Sequence, residues 1–175
     1  MNEREVCCDK TVDSYRFISG ITKRMIRSWI NLEQPRPIPW TPLAKPLSEC
    51  TVTLLSSAGI ALKTDQPFDQ EGERRNPWWG DPSYRILPKT ATQEDVRLYH
   101  MHIDPSYAAQ DLNCLFPLQH LEALETSGRI GRSGPRHYSI MGYILNPEVL
   151  LCETVPALIR NLKEDLADVV VLVPA

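Results

Sequence analysis

The sequence predicts an α/β fold: a mostly parallel sheet flanked by helices in a three-layer, Rossmann-like arrangement. Three observations carry this expectation. Val169-Val170-Val171-Leu172-Val173 is a continuous, largely β-branched run of the kind found in parallel strands buried on both faces. Thr51-Val52-Thr53-Leu54-Leu55 is a second such run, and it breaks into Ser56-Ser57-Ala58-Gly59. A strand that ends in small residues lets the carboxyl edge of a sheet present backbone groups to a ligand. Between these runs lie segments with apolar residues at helical steps, and strand, helix, strand in that order implies crossover connections.

Composition narrows the class. The 175 residues suffice for one domain with a substantial core, and 42% hydrophobic with 23% charged residues is ordinary for a globular chain. A formal net charge of −3 supplies no basic footprint for nucleic acid, and basic and acidic residues interleave without a polybasic block for a membrane surface. Apolar runs are too short to span a bilayer. The charged start, Met1-Asn2-Glu3-Arg4-Glu5, lacks a signal-peptide apolar region, so a cytoplasmic protein is expected. Five cysteines without a Cys-x-x-Cys pair suit a reducing compartment. Vicinal Cys7-Cys8 reads as frayed terminal thiols, with a soft-metal site or strained bond as the alternative.

Element by element, residues 11–32 read as an amphipathic helix. Asp13 is its expected N-cap, and Ile18, Ile21, Met25, Trp29 and Leu32 form its apolar stripe. That helix either docks on the fold or dimerises through Trp29. The expected division is an N-terminal helix over 1–34 and an α/β domain over 35–175, acting as a single domain. Residues 35–42 form a proline-rich extended arm that Trp40 pins. After the Thr51 strand, residues 65–79 read as a long excursion with Trp78-Trp79 near its tip. Strands are expected at Tyr84–Leu87, Val96–Ile103 and Tyr138–Ile144. One helix runs from Pro117 to a Gly128 stop, with Leu118, Leu121 and Leu124 inward. The last helix opens at Pro156, with Leu158, Ile159, Leu162 and Leu166 inward.

Three clusters carry chemistry. On a strand, His100, His102 and Asp104 would share one face. Two imidazoles and a carboxylate at that spacing suit a divalent transition metal, a proton-shuttling polar substrate site, or a purely structural hydrogen-bonded crevice. Asp111 and Asn113 follow and would close the same pocket. In Gly80-Asp81-Pro82-Ser83-Tyr84-Arg85, the arginine either clamps a substrate carboxylate or pairs with Asp81 to brace the loop. In Pro135-Arg136-His137-Tyr138-Ser139, His137 and Tyr138 would line a site. No phosphate-binding loop, dinucleotide fingerprint or nucleophile elbow is present.

Taken in order, three stretches resemble the selenoprotein B family of glycine, sarcosine, betaine and D-proline reductases. They are Ile38-Pro39-Trp40-Thr41-Pro42-Leu43-Ala44-Lys45-Pro46 with the following strand, Gly80–Arg85 with His100–Asp104 and Asp111–Leu118, and His137–Tyr143 with the final helix and strand. The resemblance covers about residues 38 to 175. It implies an oxidoreductase component that binds a small amino acid or amine for reductive C–N cleavage, partnered by a larger reductase subunit or a second copy of itself. His100 or His102, with Asp104, would supply the proton to the leaving amine. Arg85 and Asp81 would hold the other end, and Asp111, Asn113, His137 and Tyr138 would line the pocket. In fully equipped family members a selenocysteine or cysteine follows the last strand. Here the sequence ends at Val173-Pro174-Ala175, where that loop would begin, so the redox group is expected to be missing from these residues. The alternatives are a small-molecule or metal-binding module without redox chemistry, or a structural subunit of such a complex.

Overall fold

A computed structural model describes residues 19–32, 37, 41–76 and 78–175, without the side chains of Trp29 and Leu32. The expectations for Cys7 and Cys8, Asp13, Trp29 and Trp40 fall outside what is described. The chain divides into two compact units, Met1–Thr41 and Pro42–Ala175.

The first unit contains α1 (Gly20–Leu32). Its described start is set by Ser19, whose Oγ accepts from Thr22 N at 3.2 Å and whose carbonyl accepts from Lys23 N. Ile21, Met25 and Ile30 are exposed.

The second unit runs β1 (Thr51–Ser56), β2 (Ile60–Leu62), α2 (Gln70–Arg75), β3 (Tyr84–Pro88), β4 (Val96–Leu98), α3 (Ser106–Gln110), α4 (Leu118–Thr126), β5 (Arg132–Ser133), β6 (Arg136–Ile140), α5 (Val155–Glu164) and β7 (Val169–Val173). Its main sheet is mostly parallel, as expected for the α/β class. β1 pairs in parallel with β7 over Val52–Ser56 and Val169–Val173. On the other flank β1 pairs first with β5, at Thr51 and Val52, and then with β6, at Leu55 and Ser56. β3 adds antiparallel to β6, so the sheet is mixed. β2 and β4 form a separate antiparallel ribbon. No helix among the described residues is long and apolar enough to cross a membrane.

The principal core joins Cys50, Val52 and Leu54 of the β1 segment to Phe116, Leu118, Leu121 and Ile130 around α4, with Ile60, Leu87 and Val96 completing it. Burying side chains of this size contributes roughly 1.5–3 kcal/mol each relative to exposure. Gly128, at φ +67, terminates α4 as the sequence predicts.

Several expectations need correction. The strand predicted over Val96–Ile103 stops at Leu98, and residues 101–103 form a turn. The excursion over 65–79 contains α2, capped by Asp69, whose side chain accepts from Gly72 N at 2.8 Å. Pro156 sits in the first turn of α5, but a π-helical turn over Leu150–Thr154 precedes it. Within α5 Leu158 is buried while Ile159 is exposed; Leu166 lies beyond the helix end, exposed at φ 54. β7 is not buried on both faces: Val171 is 40% and Leu172 69% exposed. Among the described residues it has one strand neighbour, β1, so it is an edge.

Candidate functional site

The carboxyl ends of β1, β6 and β7 lie side by side, since Ser56 pairs with both Ser139 and Val173. Just beyond, Ser57 N donates to the Val173 carbonyl and Ala175 N donates to Ser57 Oγ at 2.9 Å. Gly59, at φ +63, turns the chain out of β1. Its amide donates to Ile140 O and its carbonyl accepts from Tyr99 N, which lashes the segment leading to His100 onto this rim. A side chain at Gly59 would meet Met141 Sδ at 2.4 Å and His100 N at 3.2 Å.

His100 and His102 stand together here, with ring centroids 5.9 Å apart and planes nearly perpendicular. A turn brings them together, not strand alternation. His102 N donates to His100 Nδ1 at 3.1 Å. A backbone N–H can only donate, so His100 Nδ1 is unprotonated and the neutral ring carries its proton on Nε2. Burial, and then the neighbouring His102, lower the His100 pKa below the ordinary imidazole value. A Cβ at Gly142 would fall 2.7 Å from His100 Nε2 and 2.8 Å from the Ser57 carbonyl, so those two atoms converge on the glycine. The Tyr143 ring, next in sequence, lies 4.4 Å from the His102 ring.

The third member of the group is Glu73, which sequence reasoning missed. Its Oε1 lies 2.7 Å from His102 Nε2; the Glu73 side chain is 2% exposed and that of His102 51%. Gln70, one helical turn earlier on α2, donates its side-chain amide to the Tyr99 carbonyl at 2.6 Å. Residues three apart share a helix face, so α2 grips the 99–102 segment through Gln70 and Glu73. A legible signal existed: Asp69 followed by acidic residues within the first turn is a helix-start pattern.

Asp104 does not join the histidines. It is exposed and its Oδ1 accepts from Ser106 N at 2.9 Å, capping the turn into α3 and holding its carboxyl below the usual range. Asp111 and Asn113 also serve local structure. Asp111 Oδ1 accepts from the backbone and side chain of Asn113, which in turn exchanges hydrogen bonds with Gln119 at the start of α4. Among the described residues, no group of three or more His, Cys, Asp or Glu side chains is arranged to hold a metal ion.

Arg85 donates to the carbonyls of Gln66, Pro67 and Tyr84 and to Ser83 Oγ, with its guanidinium 4.2 Å over the Phe68 ring. Four of its five donors are thus engaged by the protein. Asp81, buried, accepts from Asp69 N through Oδ2 and from Ser83 N and Oγ through Oδ1. Neither residue is a free clamp; together they brace the loop that carries α2 and therefore Glu73.

His137 and Tyr138 leave β6 in opposite directions, as successive strand residues do. His137 is fully buried, with Nδ1 accepting from Leu54 N at 3.0 Å and Nε2 3.1 Å from Ser133 Oγ. Burial, followed by the Lys89 charge, lowers its pKa to about 4. Tyr138 donates its hydroxyl to Asp165 Oδ2 at 3.0 Å, beside the Arg136–Asp165 ion pair. Burial, reinforced by that hydrogen bond, raises its pKa. Both side chains are engaged in hydrogen bonds within the sheet and its flanking helix. Cys50 is buried at the amino-terminal end of β1, while Cys114 and Cys152 are exposed and unpaired. Two hollows, of about 530 and 510 Å³, share Lys89, Glu125 and Ser133 and lie at the opposite, amino-terminal rim.

The model of the family described as glycine/sarcosine/betaine reductase selenoprotein B matches residues 8–174. Over 138 residues the chain is 33% identical to the D-proline reductase subunit gamma of Acetoanaerobium sticklandii, an overlap of 79% of this chain and 53% of that protein. Over 114 residues it is 30% identical to the glycine reductase complex component B subunit gamma of Carboxydothermus hydrogenoformans, covering 63% of this chain and 26% of that protein. The chain therefore spans about half, or less, of the length of these curated relatives. No solved structure matches it.

Proposed function

Because the chain belongs to the glycine/sarcosine/betaine reductase selenoprotein B family, we propose that it is a component of a reductase complex and that its histidine rim binds a small amino acid or amine. One observation carries the reading. His100, His102, the buried Glu73 carboxylate and the Tyr143 ring form one contiguous group, and Gly142 joins His100 to Ser57 at the end of β1, the residue that also binds the chain leaving β7.

The chemistry follows from what C–N cleavage needs. A thiolate or selenolate supplied by the complex forms a bond to the substrate carbon, and the C–N electron pair leaves with nitrogen. For a primary or secondary amine, departure as a neutral molecule is favoured when nitrogen keeps its full complement of protons, which a positioned imidazole supports. His102, half in solvent, is the proton carrier in this reading. His100, whose Nε2 bears the proton of a neutral ring, is a hydrogen-bond donor to the substrate. Tyr143 supplies an aromatic face suited to a cationic ammonium group.

The test is calorimetric titration of the protein with glycine, sarcosine, betaine and D-proline, in wild type and in His102→Ala. Binding of at least one ligand, weakened at least tenfold by the substitution, is the expected result. Lack of binding by all four to folded protein, or affinity indifferent to His102, overturns the assignment.

A further inference from the structure

We propose that Glu73 is a positioning residue for His102, holding the ring by Nε2 and thereby making Nδ1 the nitrogen offered to the bound amine. The inference rests on the reading of the rim as an amine site and adds to it which atom works and what aims it.

The geometry is asymmetric in the way such pairs require. A carboxylate accepts and cannot donate when ionised, so an Nε2 at 2.7 Å from Glu73 Oε1 must carry the proton. That fixes one of the two neutral tautomers of His102 and leaves Nδ1 without a proton until it takes one from solvent. The Tyr143 ring limits its freedom to turn away, with ring centroids 4.4 Å apart and planes tilted by 43°. The carboxylate itself is held by the helix, with Gln70 anchoring the same face of α2 to the Tyr99 carbonyl.

Structural use alone accounts poorly for Glu73. Its second oxygen, Oε2, is buried without a protein hydrogen-bond partner. An unpaired polar atom out of water is destabilising, and a buried ion pair can often be replaced by apolar side chains without loss. A carboxylate retained under that penalty, aimed at a half-exposed imidazole, fits a residue kept for orienting a reactive group. The two histidines then divide the work. His100 has its Nδ1 closed by the His102 amide and presents Nε2–H, whereas His102 has its Nε2 closed by Glu73 and presents Nδ1.

Isotopically labelled histidine and long-range proton–nitrogen correlation spectra read the tautomer of each ring directly. Wild type should show His102 as the single Nε2–H form near neutral pH. Glu73→Ala, and the bulk-conserving Glu73→Met, should convert it to a mixture of both tautomers while His137, deep in the sheet, keeps its pattern and reports an intact fold. A single wild-type tautomer surviving in the folded variants, or a mixture already present in wild type, overturns the proposal. Saturating sarcosine should move the His102 Nδ1 resonance more than Nε2, and the reverse order also overturns it. If His102 obeys Glu73 but no amine binds, the amine reading fails, and the role of Nδ1 fails with it.

Discussion

His137 accepts the amide of Leu54 at 3.0 Å, so an imidazole stands where a neighbouring strand would place a carbonyl. The position is the gap between the β1–β5 and β1–β6 ladders, which Gly134 and Pro135 separate. Gly134 N donates to Val52 O on one side of the gap, and the histidine serves Leu54 on the other. The ring bonds in this way only while neutral.

A pH dependence follows. The folded pKa of about 4 lies below the unfolded value near 6.5, so the unfolded chain binds the proton first. The stabilisation is complete above pH 6.5 and is lost as pH falls through about 4. Its size is on the order of 3 kcal/mol. Denaturant unfolding at pH 7.5, 5.5 and 4 should show this fall, and His137→Leu should remove most of it while lowering stability at pH 7.5, since Leu54 N loses its partner. An unchanged slope in the variant would assign the acid sensitivity elsewhere.

Arg85 distinguishes a brace from a substrate clamp. Arg85→Ala should lower unfolding free energy by about 1 kcal/mol, because the carbonyls of Gln66 and Pro67 exchange their arginine donor for water. The ratio of glycine to methylamine affinity should not change. A selective loss of glycine binding would restore Arg85 as a carboxylate receptor.

For Tyr138→Phe we expect a loss of about 1 kcal/mol, a single hydrogen bond to Asp165, which retains Arg136. Ligand titrations should be indistinguishable from wild type. Weaker ligand binding without loss of stability would contradict the buried, sheet-side role.

Gly142→Ala tests the packing around His100. The added methyl must displace either the imidazole or the Ser57 carbonyl, each within 2.8 Å of it. Amine binding should fall roughly tenfold, about 1.4 kcal/mol, with His100 resonances shifted and those of His137 unmoved. Wild-type affinity would show that His100 takes no part in binding.

The fold was largely readable because its signals are local and strong: the β-branched runs of β1 and β7, and Pro117 and Gly128 bounding α4. What failed did so for identifiable reasons. The polar, glycine-containing segment after Asp69 resembled a loop, since α2 owes its place to Asp69, Gln70 and Asp81 and not to an apolar stripe. Strand alternation does not govern His100, His102 and Asp104, because the strand ends at Leu98; the histidines meet through a turn, and Asp104 accepts from Ser106 N. Burial decided His137 and Tyr138, and no spacing rule reveals that an imidazole will replace a ladder hydrogen bond. Glu73 needed the third dimension, as 29 residues separate it from His102.

Gly80 carries a mechanical consequence for the rim. A Cβ there would come within 1.7 Å of the Tyr143 carbonyl oxygen, so the backbones of the two loops are in direct contact with no room for a side chain. Thr154 fastens the same region by donating to the Pro82 carbonyl at 2.7 Å. Any hinge that swings Tyr143 off the His102 ring must therefore carry the Trp79–Pro82 loop with it, and admission of a ligand past that ring would be a concerted movement of both loops.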